Sequence, residues 1–313
     1  MIKSVTITND VEEAVLITLN DIEPDSGLFI TEIEGLGPAK ADINMTKLTT
    51  QSGSKYNSSR ANGRNIVMHV RFLHAESIED VRLSTYKYFP LNRKITFHIE
   101  TDRRIAEVEG YIESNEPDIF SEEESATISI VCESPWFIDS TDNGTQVLPF
   151  SDVISEFEFE FSDDNSPSII FSTLQVYGEK HLYYRGEAET GVIFSIIAIG
   201  QFTDPIVYNN MTKEYMKLST EKILEIVPAD PDGTGGSSIQ YGDEILISTI
   251  PNNKYVKYVR LGKEYNIINA LDKGSTWFKI HPGDNIFSYT SKNKNQDTNM
   301  VCEVRAQVLY QGV

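Results

Sequence analysis

Polar and apolar residues alternate along most of this chain with a period of two. Residues 156–161 read Glu-Phe-Glu-Phe-Glu-Phe, and Cys302, Val304, Ala306, Val308 and Tyr310 alternate with Glu303, Arg305, Gln307 and Leu309. Successive side chains of a strand point to opposite faces. Such runs therefore place one face in a core and the other in water or against a partner. Ile66–Phe72, Ile105–Ile112, Thr127–Cys132, Ile245–Thr249 and Tyr255–Leu261 predict further strands. Turn residues separate them: Pro251-Asn252-Asn253, Gly262-Lys263 as a two-residue hairpin turn, and Pro282-Gly283-Asp284-Asn285. One segment departs from this pattern. Ser77 and Asp80 frame a capping box, and Ile78, Val81, Thr85 and Tyr88 follow at helical spacing until Pro90 stops the run. One helix among many strands predicts a mainly β protein and argues against a doubly wound α/β sheet.

Length and turn chemistry divide the chain. Its 313 residues suffice for two cores. Glu133-Ser134-Pro135-Trp136-Phe137 closes one strand series, Asp139–Gly144 is a polar, turn-rich linker, and a second series starts near Val153. The expected domains are 1–140 and 150–313. No repeat of solenoid period is visible. The longest apolar run, Val192–Ile199, is broken by Ser195 and falls far short of the roughly 20 residues a spanning helix needs. The opening MIKSVTITND lacks the apolar centre of a signal peptide. Cys132 and Cys302 are the two cysteines, which is no disulfide framework, and they read as buried small apolar groups of a chain made in a reducing compartment.

Charge changes the picture. The net charge is −20, which argues against nucleic-acid binding and against docking on an anionic membrane. Ile105–Glu179 holds 18 Asp and Glu and no Lys, Arg or His, so nearly the whole imbalance lies there. Gly37–Arg64 is the opposite: Lys40, Lys47, Lys55, Arg60 and Arg64 stand against Asp42 alone. Its part from Thr49 to Gly63 is rich in Ser, Asn and Gly, and loops of this length tend to be functional arms or disordered.

No catalytic constellation emerges. His69, His74, His98, His181 and His281 are scattered, without metal-ligand spacing. Asp230-Pro231-Asp232-Gly233 hints at a calcium loop but fails, because Tyr241 stands where the closing carboxylate belongs. Glu156, Glu158 and Glu160 share one strand face and suit a solvated surface better than an acid facing a nucleophile. Tyr183, Tyr184 and Trp277 offer a sugar-stacking platform, although such aromatics on β-sandwiches serve cores and interfaces more often. Two β domains, a polar arm and lopsided charge describe a structural or binding component.

The order of several motifs resembles the distal tail (Dit) family of siphophage tails and related baseplates over nearly the whole chain. They are Val5–Asn9 with a second strand at Val15–Leu19, Ile33–Pro38 followed by the polar arm to Arg64, and the strand Asn65–Phe72. Next come the helix Ser77–Phe89, Lys94–Phe97, Arg104–Gly110, and Ile128–Phe137 with its Pro-aromatic ending. In the second half they are Pro205–Thr212, Gly242–Ser248 and Trp277–Asn285. The resemblance implies an N-terminal ring domain, a β-sandwich or split barrel with one helix and a long β-hairpin arm. It implies a galectin-like, jelly-roll C-terminal sandwich after it. It implies a non-enzymatic virion protein with no cofactor or metal, assembled in the host cytoplasm into a hexameric ring at the distal tail tip. The ring would meet the major tail tube protein, the tape measure protein, a tail-associated lysin or hub protein, and receptor-binding or baseplate proteins. DNA would only pass through its lumen.

Two residue sets follow as expectations. Lys47, Lys55, Arg60 and Arg64 would carry the arm onto a neighbouring subunit. Glu107, Glu109, Glu122, Glu123 and Glu124 would form an acidic lumen lining or interface. Six copies carry about −120, which needs pairing or open solvent. The tract Glu122–Glu124 and the insert Asp230–Ser238 are not part of the resemblance. The rival readings are a cell-wall carbohydrate-binding protein on the same sandwich and an endolysin-like hydrolase.

Overall fold

The computed structural model describes residues 1–11, 14–19, 26–47, 49, 52–73, 77–121, 123–155, 172–176, 178–227 and 238–313, with side chains left aside at 151–155 and 172–176. The alternation at Glu156–Phe161, His74, Glu122 and most of the insert, 230–237, lie outside the described residues. The chain is mainly β and forms two compact units. The first is Met1–Gly144 with Val308–Val313; the second is Thr145–Gln307.

The first unit is built on one antiparallel sheet. Its strands are β1 (Ile2–Asn9), β2 (Ala14–Thr18), β3 (Leu28–Glu34), β6 (Arg64–Phe72), β7 (Lys94–Thr101), β8 (Ile105–Asp118), β9 (Ser125–Cys132) and β10 (Phe137–Asp139). Between β3 and β6 the chain makes a separate hairpin, β4 (Ala41–Lys47) with β5 (Ser54–Ala61). The sheet runs β2-β1-β7-β8-β9-β6-β3, and β10 joins through β8. Alternation sets the core: Val5 and Ile7 of β1, Ile66, Met68 and Val70 of β6, Phe97 of β7 and Ile128 and Ile130 of β9 are all buried on one side. The expected helix is α1 (Ile78–Tyr88). The Ser77 hydroxyl accepts from the Asp80 amide at 3.4 Å, which satisfies an orphan donor of the first turn, and Val81 and Thr85 are buried.

Alternation fails at Val308–Leu309, where both residues are buried. There the chain leaves the second unit, and Leu309 and Tyr310 pair with Ile138 and Phe137 of β10. The last residues thus return to the first unit instead of ending the second, where sequence alone would leave them.

The second unit has two antiparallel sheets. One contains β11 (Thr145–Pro149), β15 (Ile193–Ala198), β18 (Glu244–Ser248), β19 (Tyr255–Arg260), β20 (Lys263–Asn266) and β22 (Met300–Gln307), in the order β11-β22-β15-β18-β19-β20. The other contains β14 (Glu179–Tyr184), β16 (Ile206–Asn209), β17 (Glu214–Lys217) and β21 (Gly283–Thr290), in the order β14-β21-β16-β17. β12 (Ser151–Ser155) and β13 (Ser172–Val176) pair with each other. Aromatic rings join the two sheets: Phe194 of β15 meets Phe287 of β21 edge to face at 5.5 Å and Phe278 at 5.6 Å. A short second helix, α2 (Thr220–Ile226), is capped by Ser219. The β19–β20 turn is Leu261-Gly262, one residue earlier than expected, with φ of 49° and 74°. Both central residues are left-handed, as the twist of a two-residue hairpin requires.

Candidate functional site

The β4–β5 hairpin is the most distinctive surface of the first unit. Two glycines root it. Gly35 follows β3 with φ +84°, and a Cβ there would sit 2.0 Å from the Asn65 carbonyl oxygen. Gly63 precedes β6, where a Cβ would sit 2.6 Å from the Cys132 carbonyl oxygen. The two chain crossings are therefore closed to larger residues. Outside its roots the arm is solvated: every residue of β4 and all but Ala61 of β5 are exposed. β4 and β5 pair with each other alone, which leaves backbone groups on both outer edges unpaired by strands.

The arm has two unlike faces. Register pairs Ile43 with Ser59 and Met45 with Tyr56, whereas Asp42 pairs with Arg60 and Thr46 with Lys55. A bulge after Asn44 keeps Ile43, Met45 and Tyr56 on one side. Those three are 57%, 55% and 57% exposed. Lys47, Lys55 and Arg60 are exposed, Arg60 at 3.4 Å from Asp42. Arg64 departs from the expectation that it reaches a neighbour. Its guanidinium is buried, donates to the carbonyls of Gly35 (2.9 Å), Pro135 (3.1 Å) and Gln311 (2.8 Å), and lies 3.9 Å from the Phe137 ring centre. Burial lowers its pKa from the ordinary guanidinium value. Arg64 is a clamp at the root of the arm, because only there can one planar donor fork serve three carbonyls.

The acidic candidates fall in two places. Glu107 and Glu109 lie mid-sheet on β8, and each meets a side chain of β7: Glu107 lies 3.1 Å from His98 Nε2 and Glu109 2.8 Å from Lys94 Nζ. That face therefore includes a Lys–Glu ion pair as well as acid. Glu123 and Glu124 lie past the far end of β8, about 30 Å away at the rise of a strand. Glu123 holds Arg71 at 3.0 Å, and Glu124 is 3.8 Å from Arg82. The structure does not bring the two groups together.

Residue spacing did not foreshadow three other clusters. Register sets His69 opposite Glu32, and Glu32, Glu34 and His69 place ligand atoms within 4.8 Å of one another. Both carboxylates are exposed, and His69 Nδ1 lies 3.1 Å from Thr127 Oγ1, so this is a solvated patch on the edge strand. In the second unit, buried Asp243 accepts from Tyr258 (2.5 Å), Arg260 (2.7 Å) and the Gln240 amide (2.7 Å). Its acceptor capacity is filled, which makes it an internal clip; burial, and then the hydrogen bond to Asp243, raise the pKa of Tyr258, and the hydrogen bond to Asp243 raises that of Arg260. Of the three aromatics of the expected sugar platform, Tyr183 is exposed and Tyr184 is withdrawn from the surface. Tyr184 is core and donates to the Gln307 carbonyl, and Lys254 Nζ stands 5.4 Å over the Trp277 ring. A polar cleft of ≈ 650 Å³ opens elsewhere in this unit, lined by Thr203, Asp204, Ser219, Thr220, Lys292 and Asn293 among others. Both cysteines are free and buried.

No protein-family model matches the chain, and no curated protein does. Solved structures do. The SPP1 Dit protein, described as a paradigm of the hub adsorption apparatus in phages infecting Gram-positive hosts, shares the fold with a TM-score of 0.61 at 10% identity, over 96% of this chain and 97% of its own. Chains of the phage p2 baseplate in its activated conformation are also similar. The strontium form covers 97% of this chain and 98% of its own, and the calcium form 98% and 100%, each with a TM-score of 0.43 at 10% identity.

Proposed function

We propose that this chain is a structural, non-enzymatic component of a phage tail tip, a hub of the distal-tail type. Six copies close into a ring through their first units and continue the tail tube. The second units, galectin-like sandwiches, project outward to hold receptor-binding or baseplate proteins. The tube protein, the tape measure protein and a lysin-bearing hub protein are the axial partners. The observation that carries this reading is the likeness to SPP1 Dit over nearly the full length of both chains. The exposed two-stranded arm supports it, because a ring needs each subunit to offer two different surfaces. Lys47, Lys55 and Arg60 would lie on that contact. Replacing residues 45–57 by an Asn-Gly turn shortens the arm without disturbing its roots. Native mass measurement should then show six copies for the intact chain and smaller species for the shortened one. An unchanged hexamer removes the arm from the contact.

The hydroxyl-rich cleft of the second unit favours one alternative, binding of cell-wall carbohydrate. Glycan-array binding by the full chain, lost in Lys292→Ala with Asn293→Ala, would support it. Silence across the array would remove it.

A further inference from the structure

The β8–β9 hairpin ends in an apolar point set in acid. Phe120 is 95% exposed and Ile119 42%. The point is ordered: the Phe120 amide donates to Asp118 Oδ1 at 3.2 Å, the Ser121 hydroxyl to the Glu123 carbonyl at 2.6 Å, and Glu123 is tied to Arg71. Around it stand Glu116, Asp118 and Glu123, and no described cation pairs with Glu116 or Asp118. These bonds fix the backbone that carries Phe120, and aromatic anchors dominate interface energies.

The arm is the counterpart. It offers Ile43, Met45 and Tyr56 on one face with Lys47 beside them, and Lys55 and Arg60 on the opposite face, whereas the hairpin point offers Phe120 and Ile119 among carboxylates. Neither surface is covered within the chain. Each is an exposed apolar patch, and the arm as a whole is cationic where the point is acidic, a charge complementarity that steers and registers an interface.

We infer that the acceptor of the arm is the β8–β9 point of a second copy of this chain, with Phe120 seated against Met45 and Tyr56 of the neighbouring arm. The contact is heterologous, because the arm and the point are different patches, so it can propagate around a ring. This inference rests on the proposed ring and names its joint.

The test uses the full chain carrying Met45→Cys and Phe120→Cys, treated with a short bismaleimide; Cys132 and Cys302 are buried and serve as the background control. The expected product is a ladder of linked copies, absent when either substitution is made alone. Phe120→Ser, at a site with almost no packing to lose, should weaken association by about tenfold or more, and added salt should weaken it further. An intact ring in native mass measurement with no ladder and wild-type association of Phe120→Ser would overturn this joint and leave the ring standing. A chain that stays monomeric and gives no ladder would overturn both.

Discussion

Removing the Arg64 side chain is the sharpest probe of how the first unit is held. Arg64→Ala leaves the carbonyls of Gly35, Pro135 and Gln311 without their charged donor and uncovers the Phe137 ring. Hydrogen bonds to charged groups contribute about 1.5–3 kcal/mol each, and a desolvated cation–π contact about 2. Their sum overstates the effect, because burying a guanidinium costs several kcal/mol that truncation recovers. The net loss should be about 3–5 kcal/mol, because three buried carbonyls left without a donor cost about 1–3 kcal/mol each and the recovered desolvation offsets part of that. The assay is urea unfolding followed by tryptophan fluorescence. Trp136 belongs to the first unit and Trp277 to the second, so a Trp277→Phe background reports the first unit alone. Arg60→Ala is the control: its side chain is 80% exposed beside Asp42, and its removal should stay within about 0.5 kcal/mol. If Arg64→Ala unfolds at the same urea concentration as Arg60→Ala, the clamp does not hold the unit together.

Further outcomes follow from the same structure. Asp243→Ala strands the buried Arg260 charge and should cost the second unit about 3–5 kcal/mol, read from Trp277 fluorescence; a loss under about 1 would contradict the clip. Burial pushes the Cys132 thiol from 9.0 up to about 11, so the thiol's contribution is whole below pH 9 and falls as the unfolded chain alone ionises between pH 9 and 11. The first unit should lose about 2–3 kcal/mol more over that range than Cys132→Ala does, and equal losses would contradict it. The Asp102 pKa is lowered by its hydrogen bond and charge contact with the N-terminal amine. Its stabilisation is therefore present above the ordinary carboxylate range and fades as pH falls through the lowered value, and acetylating the amine should abolish that acid-side dependence.

Much of the architecture is legible in residue order, and the reasons are local. The Ser77 cap and the period of Val81 and Thr85 specify α1 without help from distant residues. The alternation of Met300–Gln307 specifies a strand with one buried face. Features set by distant residues are not legible. The β3 bulge between Ile30 and Glu32 shows only once β6 is paired, and it is what turns Glu32 toward His69. β8 runs to Asp118, past the expected Ile112, because β9 supplies partners to a polar segment with no alternation of its own. α2 has seven residues, too few for a period to stand out. Among the site residues, Lys47, Lys55 and Arg60 reveal their exposure through polar surroundings. Arg64 sits in the same polar stretch, yet its carbonyl partners come from three remote segments, so its burial is a tertiary fact.

Imaging the purified full chain by negative-stain electron microscopy tests the central proposal most directly. The proposal predicts six-fold rings with a central hole and outer lobes formed by residues 145–307. Single compact particles at every concentration, with no ring formed, would contradict it.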